Sequence, residues 1–182
     1  SKAKGMGINM TEKLASLIIE SLSGLINYPF GKHIIVFLTS IMPVLELRGG
    51  LIAAALLNLS PWESYATAIV ANLIPIPFLI YLIGTVIIKM QKSKIGFFKG
   101  FASWICKKVD KNKSSIEKYG FWGLVLFVGI PLPGTGAWTG AMVAGMLEMD
   151  RKKALLAITL GVFVASIIMM IISFGIINKI AA

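Results

Sequence analysis

The stretch "SIMPVLELRGGLIAAALL" (residues 40–57) decides how this chain folds, because it places two charges inside an apolar run. Glu46 and Arg48 are separated by one residue and have apolar segments on both sides. A charge in the hydrocarbon of a bilayer is costly, so such residues usually face the protein interior or a water-filled cavity. Whether this run lies in a membrane depends on the composition of the whole chain.

The composition is that of an integral membrane protein. Of the 182 residues, 57% are hydrophobic, and the mean hydropathy is +0.83. Soluble domains have about 45–50% apolar residues, and several runs here reach the roughly 20 residues that cross a bilayer. We therefore expect an all-α integral membrane protein with a single membrane domain over residues 1–182.

The scarce residue types limit the chemistry. One cysteine, Cys106, cannot form an internal disulfide or a cysteine metal cluster, and one histidine, His33, disfavours a histidine metal site or a catalytic triad. We expect no metal, no other cofactor and no enzymatic activity. The net charge of +10 is explained by lysines that flank membrane spans and meet anionic lipid headgroups, so we expect no nucleic-acid binding.

The chain divides into four segments. Residues 8–26 carry apolar side chains at helical spacing, which predicts an interfacial amphipathic helix. Residues 31–89 form a first repeat. Residues 90–118 are predicted to be a basic amphipathic surface helix, because nine lysines occur in 89–118. Residues 119–180 form a second repeat.

Both repeats have the same order of parts: an apolar run broken in its middle, a short helix, a polar loop and a long span. In the second repeat the break is "PLPGTG" (131–136). A shared order of this kind is typical of the internal repeats of membrane transporters. The residues that we expect at the two breaks are Pro43, Gly49, Gly50, Pro131, Pro133 and Gly134.

Each broken run has two interpretations. It could be one full span, which gives four spans in all, or a re-entrant hairpin that reaches the bilayer midplane and returns. The segments on either side of each break hold about 10–14 residues, which suits half a bilayer. Hairpins also place the basic residues of 148–153 on the same, cytoplasmic side as 90–118, as the positive-inside rule favours. We therefore predict an inverted repeat of two re-entrant hairpins, each followed by a transmembrane helix.

The charged pair is the first candidate site. On a regular helix, residues two apart point about 200° apart, whereas at the tip of a hairpin Glu46 and Arg48 could face one cavity. Arg48 would then bind an anion, and Glu46 would be the proton-coupling residue, since burial favours the neutral form of a carboxyl group. The alternative is that the two charges only join the tips of the hairpins to each other.

The second break supplies uncharged candidates. A helix that starts near Thr135 and Gly136 presents free backbone amides, and a helix start near Gly49 does the same from the first repeat. Together with Arg48 these would form an anion site at the midplane. Asn72, beside the predicted kink at Pro75 and Pro77, has either a structural or a ligand-binding role. The predicted substrate-binding residues are Arg48, Asn72, Thr135, Gly136, Trp138 and Thr139.

Two motifs carry a family resemblance. "PVLELRGG" (43–50), followed by an alanine-rich helix, and "PLPGTGAWTGA" (131–141) closely resemble the small multidrug export protein family. More remotely, the chain is similar to the DedA superfamily, which implies two facing re-entrant hairpins and proton-driven flipping of polyprenyl phosphates or other lipids. Glu46 stands at the acidic position of the first hairpin. The arginines of the DedA second hairpin are absent, and Leu132, Thr135 and Gly136 stand there instead.

We therefore predict a small proton-coupled transporter or lipid flippase whose substrate resembles an anionic polyprenyl phosphate. The alternatives are an exporter of lipophilic cationic drugs, a non-transporting membrane scaffold and a lipid-pyrophosphate phosphatase. The expected partners are membrane lipids, anionic lipids among them, a small amphiphilic or lipid-phosphate substrate, protons and a second copy in a homodimer. The expected location is the inner membrane of a prokaryotic cell, with several passes.

Overall fold

The structure is a computed structural model that describes residues 2–92, 95–132 and 134–180. The regular elements in these ranges are α-helices and one 3₁₀ turn, which confirms the all-helical class predicted from the sequence. The elements are α1 (Lys2–Ser21), a 3₁₀ turn (Ser23–Leu25), α2 (Gly31–Ile41), α3 (Glu46–Leu56), α4 (Pro61–Leu73), α5 (Pro75–Gln91), α6 (Gly96–Gly129), α7 (Ala137–Met146) and α8 (Arg151–Ile180).

Two stretches of the described chain are long and apolar enough to cross a bilayer. They are Pro61–Ile83, with 23 residues and a mean hydropathy of 2.1, and Arg151–Gly175, with 25 residues and a mean hydropathy of 2.8. Large apolar side chains such as Phe78 and Ile171 are exposed on these helices. A surface of this kind is stable against lipid rather than water. The described helices therefore have the length, hydropathy and exposed apolar surface of membrane-spanning helices.

Helices α2 and α3 pack together as a hairpin joined by a turn at residues 42–45. Gly50 allows the close approach, because a Cβ atom there would lie 1.7 Å from the Ser40 Oγ atom. This corrects our prediction for Gly49 and Gly50, which lie inside α3 and not at the break. The helix start expected near Gly49 is also earlier, at Glu46. The physical reason is that the turn reverses the chain before the glycines, so Gly50 serves the packing of α2 on α3 and Gly49 leaves room for Leu45 of the turn.

The predicted kink in the first long apolar segment is present. Helix α4 ends at Leu73, and α5 begins at Pro75. Proline has no N–H group, so Pro75 cannot donate the helical hydrogen bond to the carbonyl group of Ala71. The interruption leaves Asn72 in the last turn of α4, where its side chain is buried.

Helix α6 changes direction at Gly120, whose φ of 53° is left-handed. The portion before Gly120 carries the basic segment, and the portion after it runs to Gly129 and leads into the second break. Helix α7 then packs closely on its neighbours through glycines. A Cβ atom at Gly140 would lie 2.7 Å from the Val128 side chain of α6. The second break is therefore flanked by two helices in contact, like the first.

The two halves of the chain pack on each other in a reciprocal way. Helix α3 of the first half contacts α8 of the second half, and α7 of the second half contacts α5 of the first. Helix α1 packs on α3, and Ala15 in α1 is fully buried. This arrangement brings the turn at residues 42–45 next to the turn at residues 130–136, where the candidate site lies.

Candidate functional site

Glu46 lies at the point where the two turns meet. It is the first residue of α3, and its φ of 51° is left-handed. Its side chain is buried, with 7% of its surface exposed. One carboxylate oxygen, Oε2, accepts a hydrogen bond of 2.9 Å from the Ala137 backbone N–H, and Oε1 accepts one of 3.3 Å from the Trp138 N–H. Glu46 thus binds the amino end of α7.

The amino end of a helix suits a carboxylate for two reasons. The first N–H groups of a helix have no partner within the helix, and the aligned peptide dipoles give this end a partial positive charge. A buried carboxylate in turn needs hydrogen-bond donors to replace its lost hydration. The contact between Glu46 and α7 therefore satisfies both groups across 91 residues of sequence.

Gly136 is required by this contact. Its φ is 134°, a region that residues with a side chain rarely adopt. A Cβ atom at this position would lie 2.1 Å from Oε2 of Glu46. Gly134, with a φ of 87°, provides the other left-handed position of the same turn. The glycines of the second break thus let the backbone approach the carboxylate.

Arg48 binds the backbone carbonyl oxygens of the same turn. Its guanidinium group donates hydrogen bonds to the Leu132 carbonyl oxygen, to the Thr135 carbonyl oxygen at 2.9 Å and to the Thr135 Oγ1 atom at 3.0 Å. Thr135 Oγ1 also lies 2.9 Å from the carbonyl oxygens of Ile130 and Leu132. Arg48 therefore supplies donors to carbonyl groups that lie just beyond the end of α6.

The spacing of the charged pair works because Glu46 is not in a helical conformation. On a regular helix, Glu46 and Arg48 would point in different directions. The left-handed backbone at Glu46 changes the direction of its side chain, so both charges reach the segment 130–138. The acid binds the amino end of α7, where the helix dipole favours a negative charge, and the base binds carbonyl groups of the turn that precedes α7.

A small pocket lies beside these contacts, with room for about one water molecule. Asn72, which is 1% exposed, points into it from α4, and its Oδ1 atom has no hydrogen-bond partner in the described part of the chain. The lining residues come from α3, α4, α6, α7, α8 and the second break, and they are Glu46, Leu47, Arg48, Asn72, Val128, Gly136, Ala137, Val162 and Ala165.

The structure brings most of the predicted site residues together. Glu46, Arg48, Asn72 and Gly136 line the pocket, and Thr135 joins them through Arg48. Trp138 contributes its backbone N–H, while its indole Nε1 atom is buried and has no partner within the described residues. Thr139 is buried, with 3% exposed, and does not line the pocket.

The predicted break residues in the described ranges lie in the two turns, except Gly49 and Gly50, which lie inside α3. Pro43 lies exposed in the first turn, and Pro131 and Gly134 lie in the second. Pro133 lies outside the described residues.

Sequence reasoning missed the backbone groups that Glu46 and Arg48 bind. We expected free amides near Thr135 and Gly136, but the amides in use belong to the next two residues, Ala137 and Trp138. The glycine before the helix was the available signal, because it marks where the helix can start. In the described ranges, no cluster of three or more His, Cys, Asp or Glu residues could hold a metal ion. The site is built of one acid, one base and helix ends.

The chain also matches a known family over most of this architecture. The family model described as "Putative small multi-drug export protein" matches residues 46–168, which begins at Glu46 and extends into α8. The match covers more than half of the chain and includes Glu46, Arg48 and the turn at residues 130–136. No curated protein and no solved structure matches this chain.

Proposed function

Because the chain belongs to the small multi-drug export protein family, we propose that it is a membrane transporter. Its substrate site lies between the turns at residues 42–45 and 130–136. The substrate is an amphiphile with an anionic phosphate headgroup, similar to a polyprenyl phosphate, and transport is coupled to protons through Glu46. This is a transport activity and not an enzymatic one.

The observation that carries the proposal is the carboxylate of Glu46 at the start of α7. The amides of Ala137 and Trp138 hold an anionic group there, and the Arg48 guanidinium lies on the same turn. Backbone amides at a helix start and an arginine are the donors that phosphate groups bind. We infer that Glu46 occupies, within the protein, the position that a substrate phosphate takes during transport.

Protonation of Glu46 provides the coupling. An ionised carboxylate makes stronger hydrogen bonds to backbone N–H groups than a neutral carboxyl group does. Protonation therefore weakens the contact with α7 and frees its amides for another anion. The pocket has room for only about one water molecule, so a substrate also requires the two turns to move apart. Proton uptake by Glu46 is in this way coupled to the opening of the site.

The proposed architecture is an inverted repeat of two re-entrant hairpins. Helices α2 and α3 have 11 residues each and α7 has 10, which is roughly 16 Å of helix and about half of the hydrocarbon thickness. The reciprocal packing of α3 on α8 and α7 on α5 also supports it. Residues 90–118 and 148–153 then lie on the cytoplasmic side of a prokaryotic inner membrane.

A second candidate function is export of lipophilic cations. The description of the family favours it, and a carboxylate such as that of Glu46 and an aromatic ring such as that of Trp138 are groups that bind organic cations. In this version the cation competes with α7 for the Glu46 carboxylate, and protonation releases the cation. The two candidates differ in which member of the charged pair the substrate needs.

Ligand binding to the purified protein separates the candidates. Native mass spectrometry would compare a polyprenyl phosphate, phosphatidylglycerol and tetraphenylphosphonium on wild type, Arg48→Ala and Glu46→Gln. Arg151→Ala is the matched control, because this arginine packs on the Tyr81 ring, away from both turns. Specific phosphate binding that disappears in Arg48→Ala, and that Glu46→Gln retains, would support the phosphate site.

The other outcomes have equally definite meanings. Cation binding that disappears in Glu46→Gln, with no phosphate binding, would support the exporter of cations. Binding that is identical in all variants would mean that Glu46 and Arg48 only join the two turns, and the transport site would have to be sought elsewhere.

A further inference from the structure

Asn72 is a buried amide side chain that lines the pocket beside Glu46. It is 1% exposed, and its Oδ1 atom has no hydrogen-bond partner among the residues that the structure describes. A buried amide oxygen without a partner is unfavourable, and such atoms normally bind a protein donor or an ordered water molecule. The proposed function does not use Asn72, so its position requires a separate explanation.

The pocket itself indicates what binds there. It has room for about one water molecule. An amide oxygen only accepts hydrogen bonds, so the occupant must carry a hydrogen-bond donor. Among the described lining residues, Glu46 and Arg48 are the charged groups, and their charges offset each other. The remaining lining groups are the Gly136 backbone and apolar side chains. A neutral donor of this size is water.

We propose that one water molecule bridges Asn72 Oδ1 and the Glu46 carboxylate, and that Glu46 is protonated through it. This inference rests on the proposed proton coupling and names its route. A hydronium ion at the water position transfers one proton to a carboxylate oxygen of Glu46. An O–H bond forms on Glu46, and a neutral water molecule remains.

Asn72 acts as a positioning residue in this step. Before protonation its amide oxygen accepts a hydrogen bond from the water and so fixes the position of that water beside Glu46. After protonation the neutral carboxyl group binds the amides of α7 less strongly, and its new O–H group needs an acceptor. Asn72 Oδ1, directly or through the water, is an acceptor inside the pocket. Asn72 therefore stabilises the protonated form of Glu46.

Infrared difference spectroscopy tests this role, because the C=O stretch of a protonated carboxyl group can be followed as the pH is lowered. The full-length protein in lipid nanodiscs would be titrated between about pH 9 and pH 4. The band of Glu46 is identified by its disappearance in Glu46→Gln. In Asn72→Leu we expect the pH midpoint of this band to move to lower pH by about one unit, and its frequency to rise because the carboxyl group has lost an acceptor.

Tyr65→Phe is the matched control. The Tyr65 hydroxyl group lies 3.1 Å from the Ser166 hydroxyl group and so makes a polar contact between α4 and α8. Tyr65 does not line the pocket, so this variant should keep both the midpoint and the frequency of the Glu46 band. Asn72→Ser retains a hydroxyl acceptor and guards against misfolding of Asn72→Leu. Its midpoint should lie between those of wild type and Asn72→Leu.

Three results would overturn the inference in different ways. An unchanged midpoint and frequency in both Asn72 variants would show that Asn72 is only structural, while proton uptake by Glu46 stands. A wild-type spectrum with no Glu46 band would refute the proton coupling itself. Thermal stabilisation by sodium chloride over choline chloride, lost in Asn72→Leu, would identify the occupant as a sodium ion instead of a water molecule.

Discussion

The carboxylate of Glu46 accepts a hydrogen bond of 2.9 Å from the backbone N–H of Ala137, 91 residues further along the chain. This contact joins the turn before α3 to the start of α7. Arg48 adds a second connection between the same two turns, through the carbonyl groups of Leu132 and Thr135.

Glu46→Gln should weaken the contact with α7 while keeping the size and shape of the side chain. The glutamine side chain is neutral and has one acceptor oxygen, whereas the carboxylate serves the amides of Ala137 and Trp138 with two. We expect the free energy of unfolding to fall by about 1–3 kcal/mol, measured by thermal unfolding in detergent above pH 7. Glu63→Gln, at an exposed acid paired with His33, is the control and should have little effect. Equal stability of the two variants would contradict the contact.

Arg48→Lys should be nearly as damaging as Arg48→Ala. A lysine ammonium group is a point donor and cannot reach the Leu132 and Thr135 oxygens together, as the planar guanidinium group does. We expect a loss of about 1–3 kcal/mol in unfolding free energy for either variant. Arg151→Lys serves as the control, because it keeps a cation over the Tyr81 ring. Full stability of Arg48→Lys would show that only the positive charge matters.

Gly136→Ala should separate the two turns. A Cβ atom there would lie 2.1 Å from Glu46 Oε2, at a φ of 134° that alanine rarely adopts. The backbone strain of a side chain in this conformation alone costs about 1–3 kcal/mol, and the steric clash adds to it. Gly100→Ala is the control, since no atom lies within 4 Å of a Cβ built there. Thermal unfolding of both variants in the same detergent measures the difference, and similar curves would rule out the close approach.

Gly50→Ala should destabilise the hairpin of α2 and α3, although alanine favours a helix by about 1 kcal/mol over glycine. A Cβ atom at Gly50 would lie 1.7 Å from Ser40 Oγ. The double variant Gly50→Ala with Ser40→Ala removes that oxygen and should recover part of the loss. We expect a coupling free energy of about 0.5–3 kcal/mol in the double-mutant cycle. A coupling near zero would mean that Gly50 and Ser40 do not touch.

Cysteine accessibility should place residues 100 and 152 on the same side of the membrane. In a Cys106→Ala background, Gly100→Cys and Lys152→Cys would be labelled in intact cells and in inverted vesicles with a membrane-impermeant maleimide. Re-entrant hairpins predict that both cysteines react only from the cytoplasmic side. Four full spans predict that they react from opposite sides, and that result would refute the inverted repeat.

Much of the fold follows from local sequence properties. The apolar runs predicted the long helices, and Pro75 marked where the first of them is interrupted, because a missing N–H group acts on its own helix whatever surrounds it. The left-handed turns at Gly120, Gly134 and Gly136 are likewise local, since only glycine adopts these conformations easily. In these cases the physical cause lies within a few residues, so the feature can be predicted from the local sequence.

The beginning of α3 could not be found in this way. Gly49 and Gly50 look like helix breakers, but both lie inside α3. The absence of a side chain at Gly50 lets α2 come close, and its absence at Gly49 leaves room for Leu45. Glu46 adopts a left-handed φ of 51°, which is unfavourable for a glutamate considered alone. The contact with α7 compensates for that conformation, and this contact exists only in the folded chain.

The sequence by itself determined that the chain is an all-helical membrane protein and that Glu46 and Arg48 are its unusual charges, because composition and hydrophobic runs are properties of neighbouring residues. The tertiary structure alone decided what these charges bind. Besides the Thr135 hydroxyl group, their partners are backbone amides and carbonyl groups of residues 132–138, and almost every residue type carries such groups. Only the packing of one half of the chain on the other selects which of them are left unpaired and within reach.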